Sequence, residues 1–167
     1  APIVGCAPLV LDDSGPRADA SFDRTYEPDR VMEDGEQMTG PGWTLTAVAT
    51  PGHVSNHLCF ALEESGALFT GDTLYPGFLF IPSLNSYKQS IARLTAFVQT
   101  RTITDILGGH IEMQATAGVW YPYGTVYQPN ERVLQLTAAH LFELNMSIQA
   151  ITGSTTQIHN DFIINVF

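Results

Sequence analysis

Apolar positions along this chain recur with two periods. Over residues 43–50 large apolar residues alternate with small or polar ones, and a period of two predicts a strand. Residues 57–62 predict a second strand. Residues 67–70 predict a third, short and apolar enough to be buried. Pro51-Gly52 ends the first, residues 63–66 turn between the next two, and Gly71 ends the third with Asp72 just beyond it. Tyr87, Ile91, Leu94 and Phe97 then fall four, three and three apart, which is one face of a helix. Ser83 or Asn85 is placed to cap it. Residues 103–107 predict another buried strand, closed by Gly108-Gly109 before His110. Leu134, Ala138 and Leu141 mark a second helix, with Glu131 near its start.

The remaining segments read as irregular. Residues 1–41 are rich in Pro, Gly, Asp and Glu, with a loop signal at residues 12–16 and a short strand running into a turn over 31–36. Residues 76–82 predict an apolar loop, residues 121–129 an aromatic and Pro/Gly-rich one, and residues 152–156 a linker or turn. Residues 158–167 fit a terminal strand or a tail. Interleaved strands and helices predict an α/β, or α+β layered, fold. We expect one domain over 1–145 and a C-terminal tail of uncertain structure over 146–167.

Composition narrows the function. A chain of 167 residues buries about two-thirds of its unfolded surface, and a 44% hydrophobic content suits a packed core. No apolar run approaches the roughly 20 residues of a membrane span. The start Ala1-Pro2-Ile3-Val4 has no basic region before it, so no signal peptide is expected. The net charge of −10 arises from 17 acidic against 7 basic residues, which cannot supply a phosphate-neutralising patch. A small-molecule substrate is expected, with no nucleic-acid or membrane partner. Cys6 and Cys59 are too few for a disulfide framework and read as small buried hydrophobes, which suits a cytoplasmic setting.

Candidate chemistry gathers at strand ends. His53, His57 and His110 fall in turns or after strands, and Asp72 follows a strand and a glycine. Ligands on loops held by buried strands are what a rigid metal site needs, and nitrogen and oxygen donors suit zinc or another borderline metal. By itself, a histidine beside a glycine is more often a turn residue or a hydrogen-bonded core group. Tyr75, Phe78, Phe80 and the Tyr121-Pro122-Tyr123 loop either line an apolar substrate pocket or cover the core edge. His140 and His159 read as packing or solvent-facing residues.

Three segments together carry a resemblance. They are Thr50-Pro51-Gly52-His53-Val54-Ser55-Asn56-His57, Leu68-Phe69-Thr70-Gly71-Asp72-Thr73-Leu74 and Leu107-Gly108-Gly109-His110. Their order and separations resemble motifs of the metallo-β-lactamase superfamily, most nearly its glyoxalase-II-like and lactamase-like hydrolases. The likeness runs from about Tyr26 to about Leu136, with Val54 in place of the usual threonine. It implies the second half of an αββα sandwich. It also implies His53 and His110 as metal ligands and Asp72 as the carboxylate between two metals, while His57 matches a position that is not a constant ligand and reads either as a residue that orients them or as a structural one. The implied cofactor is zinc, one or two ions in the complete fold, with iron or manganese able to substitute. The superfamily's first motif, H-x-H-x-D-H, is absent, since no histidine precedes His53.

Two functional expectations follow from the resemblance. One is a metal-dependent hydrolase of a small-molecule ester, thioester, lactone or amide, incomplete in this chain. The other is a non-catalytic remnant kept for binding or assembly. A missing half would leave sheet edge and apolar surface uncovered, so a companion N-terminal segment or self-association is expected to cover it.

Overall fold

The computed structural model describes residues 32–167. Cys6 and the loop at residues 12–16 lie outside them, as does Val31. The described residues form two sheets and two helices. The larger sheet has six strands: β1 (Gln37–Gly40), β2 (Trp43–Ala49), β3 (Leu58–Leu62), β4 (Ala67–Gly71), β6 (Asp105–Gly108) and β7 (Gln135–Leu136), in the order β1-β2-β3-β4-β6-β7. β1 to β4 are an antiparallel meander, and β6 then joins β4 in parallel. The parallel step needs a crossover. Helix α1 (Leu84–Gln99) lies in that connection.

The smaller sheet holds β5 (Phe78–Ile81), β8 (Thr155–Ile158) and β9 (Ile163–Val166) in the order β5-β9-β8. Helix α2 (Ala138–Ala150) precedes its hairpin. One apolar core joins all layers. Val48, Ala61, Leu68 and Ile106 from the large sheet meet Leu79, Ile81, Ile164 and Val166 from the small one, with Tyr87, Ile91 and Leu94 of α1 and Leu141, Leu144 and Ile148 of α2. The described residues thus form a mixed α/β molecule.

Several expectations need correction. The strand expected over 31–36 is a turn at Asp34-Gly35, and the strand begins at Gln37. The apolar loop expected over 76–82 contains β5, because Phe78-Leu79-Phe80-Ile81 pairs in parallel with β9. The linker expected over 152–156 enters β8 at Thr155. Leu134 precedes α2, which starts at Ala138 behind the N-cap Thr137. The boundary expected between 145 and 146 falls inside α2, and residues beyond it complete the second sheet and bury Phe162 in the core. In α1, Tyr87, Ile91 and Leu94 are buried as their spacing predicts, and Val98 takes the fourth place ahead of Phe97. Ser83 stands at the N-cap, but its hydroxyl bonds Ser86 Oγ rather than a backbone amide.

Candidate functional site

The C-terminal ends of β2 and β4 and the loop after β6 bring the three motifs together. Gly52 makes the first turn feasible. Its φ is +149°, and a Cβ there would stand 2.6 Å from the Tyr87 backbone, so α1 begins hard against it. Ser90 Oγ donates to Pro51 O at 2.7 Å, and Ser83 N–H donates to Gly52 O at 3.2 Å. This clasp fixes the turn that presents His53.

His53 donates Nδ1–H to the Phe80 carbonyl at 2.9 Å, since a carbonyl can only accept. That bond turns Nε2 toward Asp72, 3.6 Å from Oδ2. A carbonyl partner on the far nitrogen is how a metal-ligating imidazole is oriented. His110 approaches from the other side, with Nε2 3.1 Å from Asp72 Oδ1. Its ring tilts against Tyr75 at a centroid distance of 5.3 Å. Asp72 Oδ1 is buried, and no donor points a hydrogen at it. A buried carboxylate oxygen without a donor is costly unless something else occupies its lone pairs. One carboxylate with an imidazole nitrogen beside each oxygen is a donor set that fits a cation chemically. The two imidazoles flank opposite oxygens rather than converging on one point. Among the described residues, no group of three or more His, Cys, Asp or Glu side chains is gathered to hold an ion.

His57 is buried beneath this cluster. Its Nε2 accepts the Asp72 N–H at 3.3 Å, so Nδ1 carries the proton and faces Thr50 Oγ1 at 2.8 Å and Thr73 Oγ1 at 3.1 Å. Burial lowers the imidazole to a pKa of about 4 against the upward pull of Asp72. His57 therefore stays neutral at neutral pH and ties the Asp72 backbone to β2. The Cys59 thiol beside it is buried, which pushes its pKa up to about 11.

The cluster floors an open cavity of about 720 Å³. Tyr75, Phe78 and Phe80 line one wall, Tyr123 stands at the mouth, and Thr156 and Asn165 contribute from the second sheet. Phe78 stacks on Phe80 and meets Trp120 edge to face, each at 6.1 Å. Tyr75 is almost wholly buried, its hydroxyl donates to Phe78 O, and burial pushes its phenol far up, so it stays protonated. Tyr121 stands away from the cavity. It is buried, and its hydroxyl accepts the Asn130 N–H at 2.8 Å, so it braces its own loop. Tyr123, two residues on, is 97% exposed and takes the pocket position instead.

Sequence reasoning passed over Thr156, Asn165 and Glu112. The first two reach the cavity only through the second sheet, which pairs β5 with strands some eighty residues later. Glu112 also lines the cavity, with Oε1 4.0 Å from His110 Nδ1. Burial pushes its carboxyl up, opposed by the Phe78 N–H and by His110. Its signal in the sequence was a carboxylate two residues after a candidate ligand.

Comparisons with known proteins agree with this geometry. A family model described as the metallo-beta-lactamase superfamily matches residues 5–134. The chain is similar to the lactamase-like protein vrtG of Penicillium aethiopicum, at 44% identity over 75 residues, 42% of this chain and 24% of that protein. It is also similar to an atrochrysone carboxyl ACP thioesterase of Aspergillus fumigatus, at 41% identity over 73 residues, 41% of this chain and 23% of that one. The matched stretch is thus under a quarter of either relative's length. Among solved structures, a metallo-beta-lactamase from Staphylococcus aureus superposes with a TM-score of 0.51 at 13% identity, covering 78% of this chain and 38% of that one. That likeness concerns the fold. With residues 5–134 inside the family model and the fold in agreement, the chain belongs to the metallo-beta-lactamase superfamily and carries a part of its fold.

Proposed function

We propose that this chain carries the later half of a metal-dependent hydrolase site that acts on a small-molecule carbonyl ester or thioester, with lactones and amides as related substrates. The observation that supports it is the Asp72 carboxylate, buried, without a donor on Oδ1, and flanked by the Nε2 atoms of His53 and His110. Asp72, His53 and His110 would hold the ion. Zinc suits this donor set, and iron or manganese is compatible with it. When bound, such an ion supplies Lewis acidity that polarises a carbonyl and acidifies water.

The chain's own residues supply the rest. His57 and the Phe80 carbonyl hold Asp72 and His53 in place. Tyr75, Phe78 and Phe80 offer an apolar wall to the acyl part of a substrate. The net charge of −10 disfavours polyanionic substrates such as nucleic acids. The thioester preference rests on the relative described as an ACP thioesterase. Zinc-dependent hydrolysis of an aromatic acyl thioester, falling to background in Asp72→Ala, is the expected outcome. Absence of any zinc-dependent turnover across thioesters, lactones and amides would exclude catalysis by this chain.

One observation favours a second reading, a binding or assembly module. Val126 is 99% and Tyr127 79% exposed, which leaves an apolar loop uncovered among the described residues. Self-association without turnover, seen by size-exclusion chromatography, supports this alternative, and a stable monomer opposes it.

A further inference from the structure

Glu112 makes two contacts that no ligand motif accounts for. Its backbone is tied on both sides, with Glu112 N–H donating to Pro76 O at 2.8 Å and Tyr121 N–H donating to Glu112 O at 2.8 Å. Its side chain then divides. Oε2 accepts the Phe78 N–H at 3.1 Å, and Oε1 stands 4.0 Å from His110 Nδ1, in ion-pair range. Phe78 opens β5, which among the described residues is an edge strand with β9 as its neighbour. On that inner side the ladder already uses Gly77 O, which accepts Ile163 N–H at 2.8 Å. Among the described residues the Phe78 amide has no strand partner, and Glu112 takes the place of one.

Gly77 makes that approach feasible. A Cβ at residue 77 would stand 1.7 Å from Glu112 Oε2, so any side chain there would evict the carboxylate. The chain therefore leaves a gap under the aromatic wall, and a half-buried carboxylate fills it.

We propose that Glu112 is a positioning residue, whose single carboxylate holds the His110 ring and the first residue of the Phe78–Phe80 wall in one register. Substrate wall and candidate ligand then move together. The His110 half rests on the metal reading given above; the Phe78 half does not.

Two variants of the full chain separate the halves. In Glu112→Gln the amide oxygen can still accept from Phe78, but the negative charge facing His110 is gone. In Glu112→Ala both contacts go. Amide exchange of metal-free protein reads the first half. Phe78 N–H should exchange about tenfold faster in Glu112→Ala and in Gly77→Ala, and near the wild-type rate in Glu112→Gln. Unchanged exchange in both alanine variants overturns the proposal.

Zinc titration reads the second half. Glu112→Gln should weaken zinc binding about tenfold, and should add nothing in a His110→Ala background. An unchanged affinity, or an equal loss in both backgrounds, overturns the coupling to His110. If wild-type chain takes up no zinc, the metal reading fails, and Phe78 exchange alone decides whether Glu112 positions the wall. Thermal melts close to wild type confirm that Glu112→Gln and Gly77→Ala remain folded.

Discussion

Asp72 is held by its main chain as much as by its side chain. The Asp72 N–H donates to His57 Nε2, and His57 in turn faces two buried threonines. Removing the imidazole leaves Thr50, Thr73 and the Asp72 amide short of partners in a dry environment. His57→Ala should therefore cost about 2–4 kcal/mol in urea unfolding, combining a cavity with unpaired polar groups. A loss within about 0.5 kcal/mol would show that water replaces the ring. The sequence left His57 open between orienting the ligands and a structural role, because Asp72 lies fifteen residues on and meets it only once β3 and β4 pair. The contact of Glu112 with Phe78 was hidden likewise: that amide belongs to an edge strand that sequence periodicity does not mark.

The elements differ in how plainly the sequence announces them. β2, β3, β4 and α1 follow their apolar patterns: β4 alternates and α1 buries one stripe, while β2 and β3 bury consecutive residues at their centres. β5 does not, because Phe78-Leu79-Phe80-Ile81 is a continuous apolar run between prolines, a pattern shared by loops and buried strands. β8 is Thr-Thr-Gln-Ile, a polar edge strand identified only by its partner.

The hairpin that joins β8 to β9 is fastened to α2 by reciprocal pairs. His140 meets Asp161 at 3.2 Å, Glu143 meets His159 at 2.8 Å, and Arg132 Nε meets Asp161 at 2.5 Å. Thr137 N–H donates to His140 Nδ1, so a histidine closes the box that glutamate or glutamine usually closes at a helix start. Burial alone would raise the Asp161 carboxyl, but the hydrogen bond and charge of Arg132, with His140, outweigh it and hold the pKa below the usual value. A folded-state pKa below the unfolded one means stability that is present above the ordinary carboxylate range and lost as pH falls through and below it. Asp161→Asn should cost about 1–2 kcal/mol at neutral pH, with the gap to wild type narrowing as the pH is lowered below about 4. Urea midpoints of the two proteins across that range check it; a gap that stays constant would show that Asp161 acts by shape and not by charge.

At the scale of the molecule, two sheets share one core, and the cavity opens where they meet. The large sheet supplies the strand ends that present His53, Asp72 and His110. The small sheet supplies Phe78, Phe80, Thr156 and Asn165. The family was legible, and so was the place of His53, Asp72 and His110 at strand ends, because strand, glycine and polar residue are consecutive in sequence. The far wall was not, because it is assembled from segments some eighty residues apart. The central claim is that Asp72 is a metal-holding carboxylate between two imidazoles. Metal content by mass spectrometry, after incubation with zinc, iron or manganese and then dialysis, tests it most directly. The account predicts metal retained by the wild-type chain, reduced in His53→Ala and in His110→Ala, and lost in Asp72→Ala. A wild-type chain that retains no metal, or an Asp72→Ala variant that retains as much as wild type, would contradict it.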